Sequence, residues 1–168
     1  MAIRQILHYP DKRLRVPGEP VEDFGPEFQT LIDDMAETMY AAPGVGLAAP
    51  QIGVSLKVFI VDTATGEDEP SDLRVFANPE FLEKNGTVFF DEGCLSFPGA
   101  REELERAETV RVRAQDRHGE TFEVEAEGLL AIALQHENDH LEGKLMIDQL
   151  GVLRRRLLHR SMLKRAKG

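Results

Sequence analysis

His136-Glu137-Asn138-Asp139-His140 is an H-E-x-x-H sequence. On a helix, residues four apart share a face, so the two imidazoles can reach one metal ion with the glutamate beside it. Leu129, Ile132 and Ala133 precede His136 at helical spacing, so the histidines continue an apolar stripe and point inward. The pattern predicts His136 and His140 as metal ligands and Glu137 as a general base.

The third ligand must come from elsewhere. A metzincin continues H-E-x-x-H-x-x-G-x-x-H. Gly143 falls in place, but Met146 stands where the last histidine is needed, which excludes that class. His8, His118 and His159 fall on an early loop, a hairpin turn and the tail, and no spacing recommends them. Cys94 is the one cysteine, in Glu92-Gly93-Cys94-Leu95-Ser96 ahead of a Pro98-Gly99 turn. A lone intracellular cysteine is ordinarily a small buried hydrophobe. Here its thiolate would complete a His₂Cys set, and the Glu92 carboxylate is an open alternative. Three protein ligands leave a fourth position for water or substrate, which marks a catalytic rather than a structural site. Such a metal acidifies a bound water and polarises a carbonyl. Glu137 could take the water's proton and deliver it to a leaving amine. That is amide hydrolysis, and its tetrahedral oxyanion needs donors beyond the metal.

Gly44-Val45-Gly46-Leu47-Ala48-Ala49-Pro50-Gln51 contains G-x-G-x-x-A. A dinucleotide fingerprint needs a strand before it and a helix after it. Here a helix precedes, and Pro43 and Pro50 bracket the loop, so no nucleotide cofactor is expected. The glycines instead let extended backbone approach a ligand closely.

Several elements must position these groups. Pro26 opens a helix with Phe28, Leu31, Ile32, Met35 and Met39 on one face, ending before Pro43. Lys57–Asp62, Arg74–Asn78 and Thr87–Phe90 read as strands, with an acidic loop around Gly66–Pro70 and a turn at Asn85-Gly86. Thr109–Gln115 and Thr121–Glu125 read as a hairpin. Gly128 precedes a helix from Leu129 to about Leu141, and another runs from Val152 to about Ala166. Strands with helices segregated around them predict an α+β fold in a single compact domain over residues 1–168. The β-sheets would surround the central H-E-x-x-H helix, and a helix would close the chain.

The chain has 168 residues and a net charge of −10. Residues 152–168 carry seven basic side chains and no acidic one, leaving thirteen basic against thirty acidic residues in the rest. The acidic body repels nucleic acid in general, while the basic tail can dock on phosphate. The beginning of the sequence has no signal-peptide core, and no apolar run reaches the roughly 18–20 residues of a membrane helix. A cytoplasmic location with no membrane contact is expected.

Three motifs together resemble the peptide deformylases: G-x-G-x-A-A-x-Q at Gly44 to Gln51, E-G-C-L-S at Glu92 to Ser96, and Q-H-E-x-D-H at Gln135 to His140. The resemblance spans essentially the whole chain, including a final helix of the kind found in the Gram-negative-type bacterial class. It implies removal of formyl from the N-terminal formyl-methionine of nascent peptides, releasing formate. It implies Cys94, His136 and His140 as metal ligands, Glu137 as acid and base, and the Gln51 side chain and Leu95 N–H as oxyanion donors. The implied ion is iron(II) in the cell, with zinc, nickel or cobalt able to occupy the site. Leu129, Ile132, Ala133 and Val45 are expected to line the methionine slot. Gly44–Gly46 would pair with the peptide backbone, and Arg101 would contact the peptide. The basic helix over about 152–166 looks like one that docks near the ribosomal exit tunnel.

Overall fold

The computed structural model describes residues 2–64 and 70–167. Its first helix, α1, runs Pro26–Ala41 with proline in the first turn, where a missing N–H costs nothing. Its predicted stripe is the buried one: Phe28, Leu31, Ile32, Met35 and Met39 are all at or below 6% exposure. Next come strands β1 (Gly46–Ala48), β2 (Val58–Val61), β3 (Arg74–Asn85), β4 (Val88–Cys94), β5 (Phe97–Arg106), β6 (Thr109–Gln115) and β7 (Thr121–Glu127). Helices α2 (Gly128–Leu141) and α3 (Val152–Lys167) complete the chain. The acidic loop expected around Gly66–Pro70 falls mainly on 65–69, outside the described residues.

Five strands form one antiparallel sheet in the order β1-β2-β3-β6-β7, and β4 pairs with β5 in a separate hairpin. β2 is buried at every position, because the large sheet is covered on both faces. Val58 and Ile60 pack with α1, whereas Phe59 and Val61 pack with the α2 layer. Phe59 stacks on Phe76, centroids 5.1 Å apart. A fully buried phenylalanine contributes about 1.5–3 kcal/mol. A third apolar cluster joins the hairpin to the N-terminal segment and α3 through Leu14, Phe97, Leu104, Leu145, Leu158 and Met162. The architecture is a single compact α+β domain with α2 against the sheet.

Two expectations need correction. Pro98-Gly99 is not the turn after Cys94. The chain reverses at Leu95-Ser96, Cys94 faces Phe97, and Pro98-Gly99 lies inside β5. The two-stranded hairpin has free edges, where a proline without an N–H is tolerated, and Gly99 takes a positive φ of 78°. Likewise β3 does not stop at Asn78. Asn78 adopts φ 51°, a bulge interrupts the register between Ala77 and Glu80, and pairing with β6 continues to Asn85. A bulge is one of the few places where a sheet accepts the following proline.

Helix α2 starts at Gly128, which turns the chain out of β7 with φ 62°. It ends where Gly143, at φ 76°, donates to the His140 carbonyl and Lys144 to that of Asp139. This is a left-handed glycine stop. Met146 then sits buried in a 3-10 turn, Met146–Gln149, beyond the helix.

Candidate active site

The helix α2 presents His136 and His140 toward the end of β4. Cys94 Sγ lies 3.4 Å from His140 Nε2. Ligand atoms of Cys94, His136 and His140 all fall within 4.8 Å of one another. His140 is buried, and the His136 side chain is 12% exposed.

Glu92 sits behind His136 and accepts from its Nδ1 at 2.9 Å. Its two oxygens also accept from Arg106 Nε and Nη2 at 2.7 and 2.9 Å. A carboxylate already forked by a guanidinium acts as acceptor, so the imidazole proton belongs on Nδ1. Nε2 then offers its lone pair to a metal. Glu92, an open alternative for the third ligand, is thus committed to Arg106 and His136. Burial works against its ionisation, but His136 and Arg106 hold its carboxyl below the usual range. Arg106 also donates Nη1 to Asp139 at 2.7 Å, tying the hairpin to α2. Burial, with the Arg106 charge, holds the His140 pKa well below its ordinary value. A neutral imidazole is the ligating form.

Glu137 is 4% exposed, and its Oε1 has no partner among the described residues, as is true of His140 Nδ1. Burial pushes the Glu137 pKa up to about 7, a value suited to proton transfer near neutrality. One sulfur, two imidazoles and an unpartnered buried carboxylate oxygen form a donor set that fits a divalent first-row metal with an open position.

Gln51 occupies the 3-10 turn Ala49–Ile52 and is 1% exposed. Ala48 N–H donates to its Oε1 at 2.9 Å. That bond orients the amide, and Nε2 donates to Ser96 Oγ at 3.1 Å and lies 3.8 Å from Cys94 Sγ. The glycines also make room for the site's own groups. A Cβ on Gly46 would stand 2.8 Å from Glu137 Oε2, and one on Gly44 would stand 2.8 Å from Leu95 Cδ1. The close approach they permit is made by the site's own side chains.

Gln51, Glu92, Cys94, His136 and Glu137 face one cleft of about 810 Å³. Gly44, Val45, Gly46, Gln51, Cys94, Leu95, Arg101, Leu129, Ile132, Ala133, His136 and Glu137 line it, and His140 lies behind. β1 is the edge strand of the large sheet beside the cleft. Arg101 is 63% exposed in its side chain and pairs with Asp91 at 2.8 Å.

Sequence reasoning missed Arg106 and Phe90, the second of which lines the cleft, and it gave no role to Asp139 and Ser96 within their motifs. The signal for Arg106 was weak. The inward face of β5 alternates correctly, but with Glu102, Leu104 and Arg106, so its period is not an apolar one.

Comparison with known proteins places the chain in a family. Residues 3–156 match the family model described as polypeptide deformylase. The curated peptide deformylase of Tolumonas auensis is 47% identical over 167 residues, 99% of this chain and 98% of that one. A crystal structure of a peptide deformylase from Legionella pneumophila superposes with a TM-score of 0.93 at 50% identity, over 99% of this chain and 96% of that one. One from Ehrlichia chaffeensis in complex with actinonin gives 0.92 at 32% identity over 100% of both chains.

Proposed function

The chain belongs to the polypeptide deformylase family, and from that premise we propose that it hydrolyses the formyl amide of N-terminal formyl-methionine on newly synthesised polypeptides, releasing formate. Cys94, His136 and His140 would hold one divalent ion, iron(II) in the cell, with zinc, nickel or cobalt able to replace it. When bound, the ion acidifies a water and polarises the formyl carbonyl. Glu137 accepts the proton of the attacking water and passes it to the departing amine. Gln51 Nε2 and the Leu95 N–H donate to the formyl oxygen as it gains charge. The methionine side chain enters the slot between Val45, Leu129, Ile132 and Ala133. The peptide backbone adds to the β1 edge at Gly44–Gly46, and Arg101 meets the peptide at the rim. The 168 residues act as one catalytic unit in the cytoplasm. No helix among the described residues is long and apolar enough to cross a membrane.

What supports this reading most is the convergence of three donor atoms within 4.8 Å at the wall of a cleft that Cys94, His136 and Glu137, with its unpartnered oxygen, line. The test is anaerobic purification with metal analysis, then formate release from a formyl-methionyl dipeptide. Methionine release from the unformylated dipeptide is the control, and its appearance would argue for a peptidase. Glu137→Ala should keep its metal and lose about 10²–10⁴-fold in turnover. Surviving activity would remove Glu137 from its role.

The α3 helix would dock on ribosomal RNA through Arg156, Arg160 and Lys164, which are exposed. Neutralising these three should weaken ribosome binding and flatten its salt dependence. Unchanged affinity would remove the docking role.

A further inference from the structure

Glu102 on β5 stands directly across from Glu92 on β4. Both are buried, at 8% and 4% exposure. Opposed residues of an antiparallel pair project to the same face, where two carboxylates repel. Each therefore needs a cation of its own. Glu92 has Arg106. Glu102 has Arg154 from α3, whose Nη2 meets both carboxylate oxygens at 2.7 and 2.6 Å. The terminal helix thus supplies the counter-charge for a buried acid behind the strand that carries Glu92 and Cys94. Two further contacts hold the helix there. Arg165 packs on Gly99, and His159 meets the hydroxyl of Tyr9, whose ring stacks on Phe97 at 5.0 Å.

We propose that Arg154 is a positioning residue for the metal centre: by neutralising Glu102, it keeps Arg106 committed to Glu92 and so keeps His136 and Cys94 aligned. The inference rests on Cys94, His136 and His140 being the ligand set. The Arg154 side chain is 58% exposed but that of Glu102 is only 9% exposed, so removing Arg154 leaves the buried carboxylate without its cation, which is unfavourable even though water screens the arginine end. Arg106 reaches along the hairpin to Glu92, the cross-strand neighbour of Glu102, so its guanidinium is the one a bare Glu102 would draw. Any such shift loosens the Glu92 contact that orients His136.

The decisive measurement is the rate at which Zn²⁺ leaves the loaded full-length chain into excess chelator, for four proteins. Arg154→Ala should release the ion about 3- to 10-fold faster than wild type, a smaller effect than removal of a residue touching the ligands. Arg154→Lys, which keeps the charge, should release near the wild-type rate. The double variant Arg154→Ala/Glu102→Gln should also return toward wild type. It has no ion pair to α3, but no buried charge left to satisfy. A merely structural anchor would leave the double variant as fast as the single one, and that result overturns the proposal. Equal release from Arg154→Ala and wild type overturns it as well. A wild-type chain that takes up no Zn²⁺ overturns the ligand set itself, and this inference with it.

Discussion

His136 and His140 stand on one helix four residues apart, whereas Cys94 reaches them from a hairpin, 46 residues from His140 in sequence. On the helix side, backbone geometry alone puts both imidazoles on one face. Apolar contacts of Ala131 and Leu134 then hold α2 on the sheet. On the hairpin side, no local rule brings the sulfur into place. Arg106 ties Glu92 to Asp139, and Arg154 serves Glu102. The helix half therefore rests on packing, whereas the hairpin half adds paired charges to the apolar cluster around Phe97 and Leu104. Damage to the first should change the chemistry, while damage to the second should loosen the ion.

The largest effect should come from Arg106, whose side chain is 5% exposed and bonded to two carboxylates. Arg106→Met keeps much of the volume but removes the cation from Glu92, left with His136 alone, and from the partly exposed Asp139, left with Gln149. Leaving a buried charge without its partner costs about 3–5 kcal/mol, and loss of an outer-shell contact weakens metal binding about 10–100-fold. Chemical unfolding and competition with a chelator measure the two quantities. A variant that binds metal as tightly as wild type would show that the hairpin half does not depend on its charges.

Gly46→Ala probes the helix half with a smaller expected effect. The added methyl meets Glu137 at its carboxylate oxygen and Cγ, at 2.8 and 2.9 Å, so the carboxylate must shift. Overpacking of this kind costs about 1–3 kcal/mol. A misplaced general base should lower kcat about 10–100-fold. Metal content should stay at the wild-type level, because the methyl bears on Glu137 rather than on a ligand. Loss of metal instead would mean that the two halves are not separable.

The same division explains what could be read from the chain. The H-E-x-x-H helix was legible because its rule is local, and the stripe of α1 was legible because its period is apolar. Gln51 and Leu95 were placed through the resemblance of their motifs. The glycine loop reads as backbone that approaches a ligand, and the structure adds that Leu95 and Glu137, both distant in sequence, crowd Gly44 and Gly46. β5 escaped because Ala100–Arg106 is mostly charged, and its burial depends on partners in β4, α2 and α3 that no local window contains. The Pro98-Gly99 pair read as a turn because nothing local in the sequence marks Leu95-Ser96 as the place where the chain already reverses.

Arg101 gives the smallest effect and the sharpest control on Arg106, since both are arginines of β5 bonded to an aspartate or glutamate of β4. The Arg101 side chain is 63% exposed and that of Asp91 62%, so water screens the pair and little is gained by forming it. Exposed pairs of this type contribute about 0–1 kcal/mol, and Arg101→Ala should leave stability within that margin and metal retention unchanged. Asp91 and its carbonyl hold the guanidinium at the rim of the cleft, where a peptide could take it over. If it does, Arg101→Ala raises KM for formyl peptides of several residues more than for a formyl-methionyl dipeptide, with kcat preserved. A destabilisation comparable to that of Arg106→Met would mean that exposure does not separate the two arginines, and the division between a charge-held interior and a solvated rim would fail.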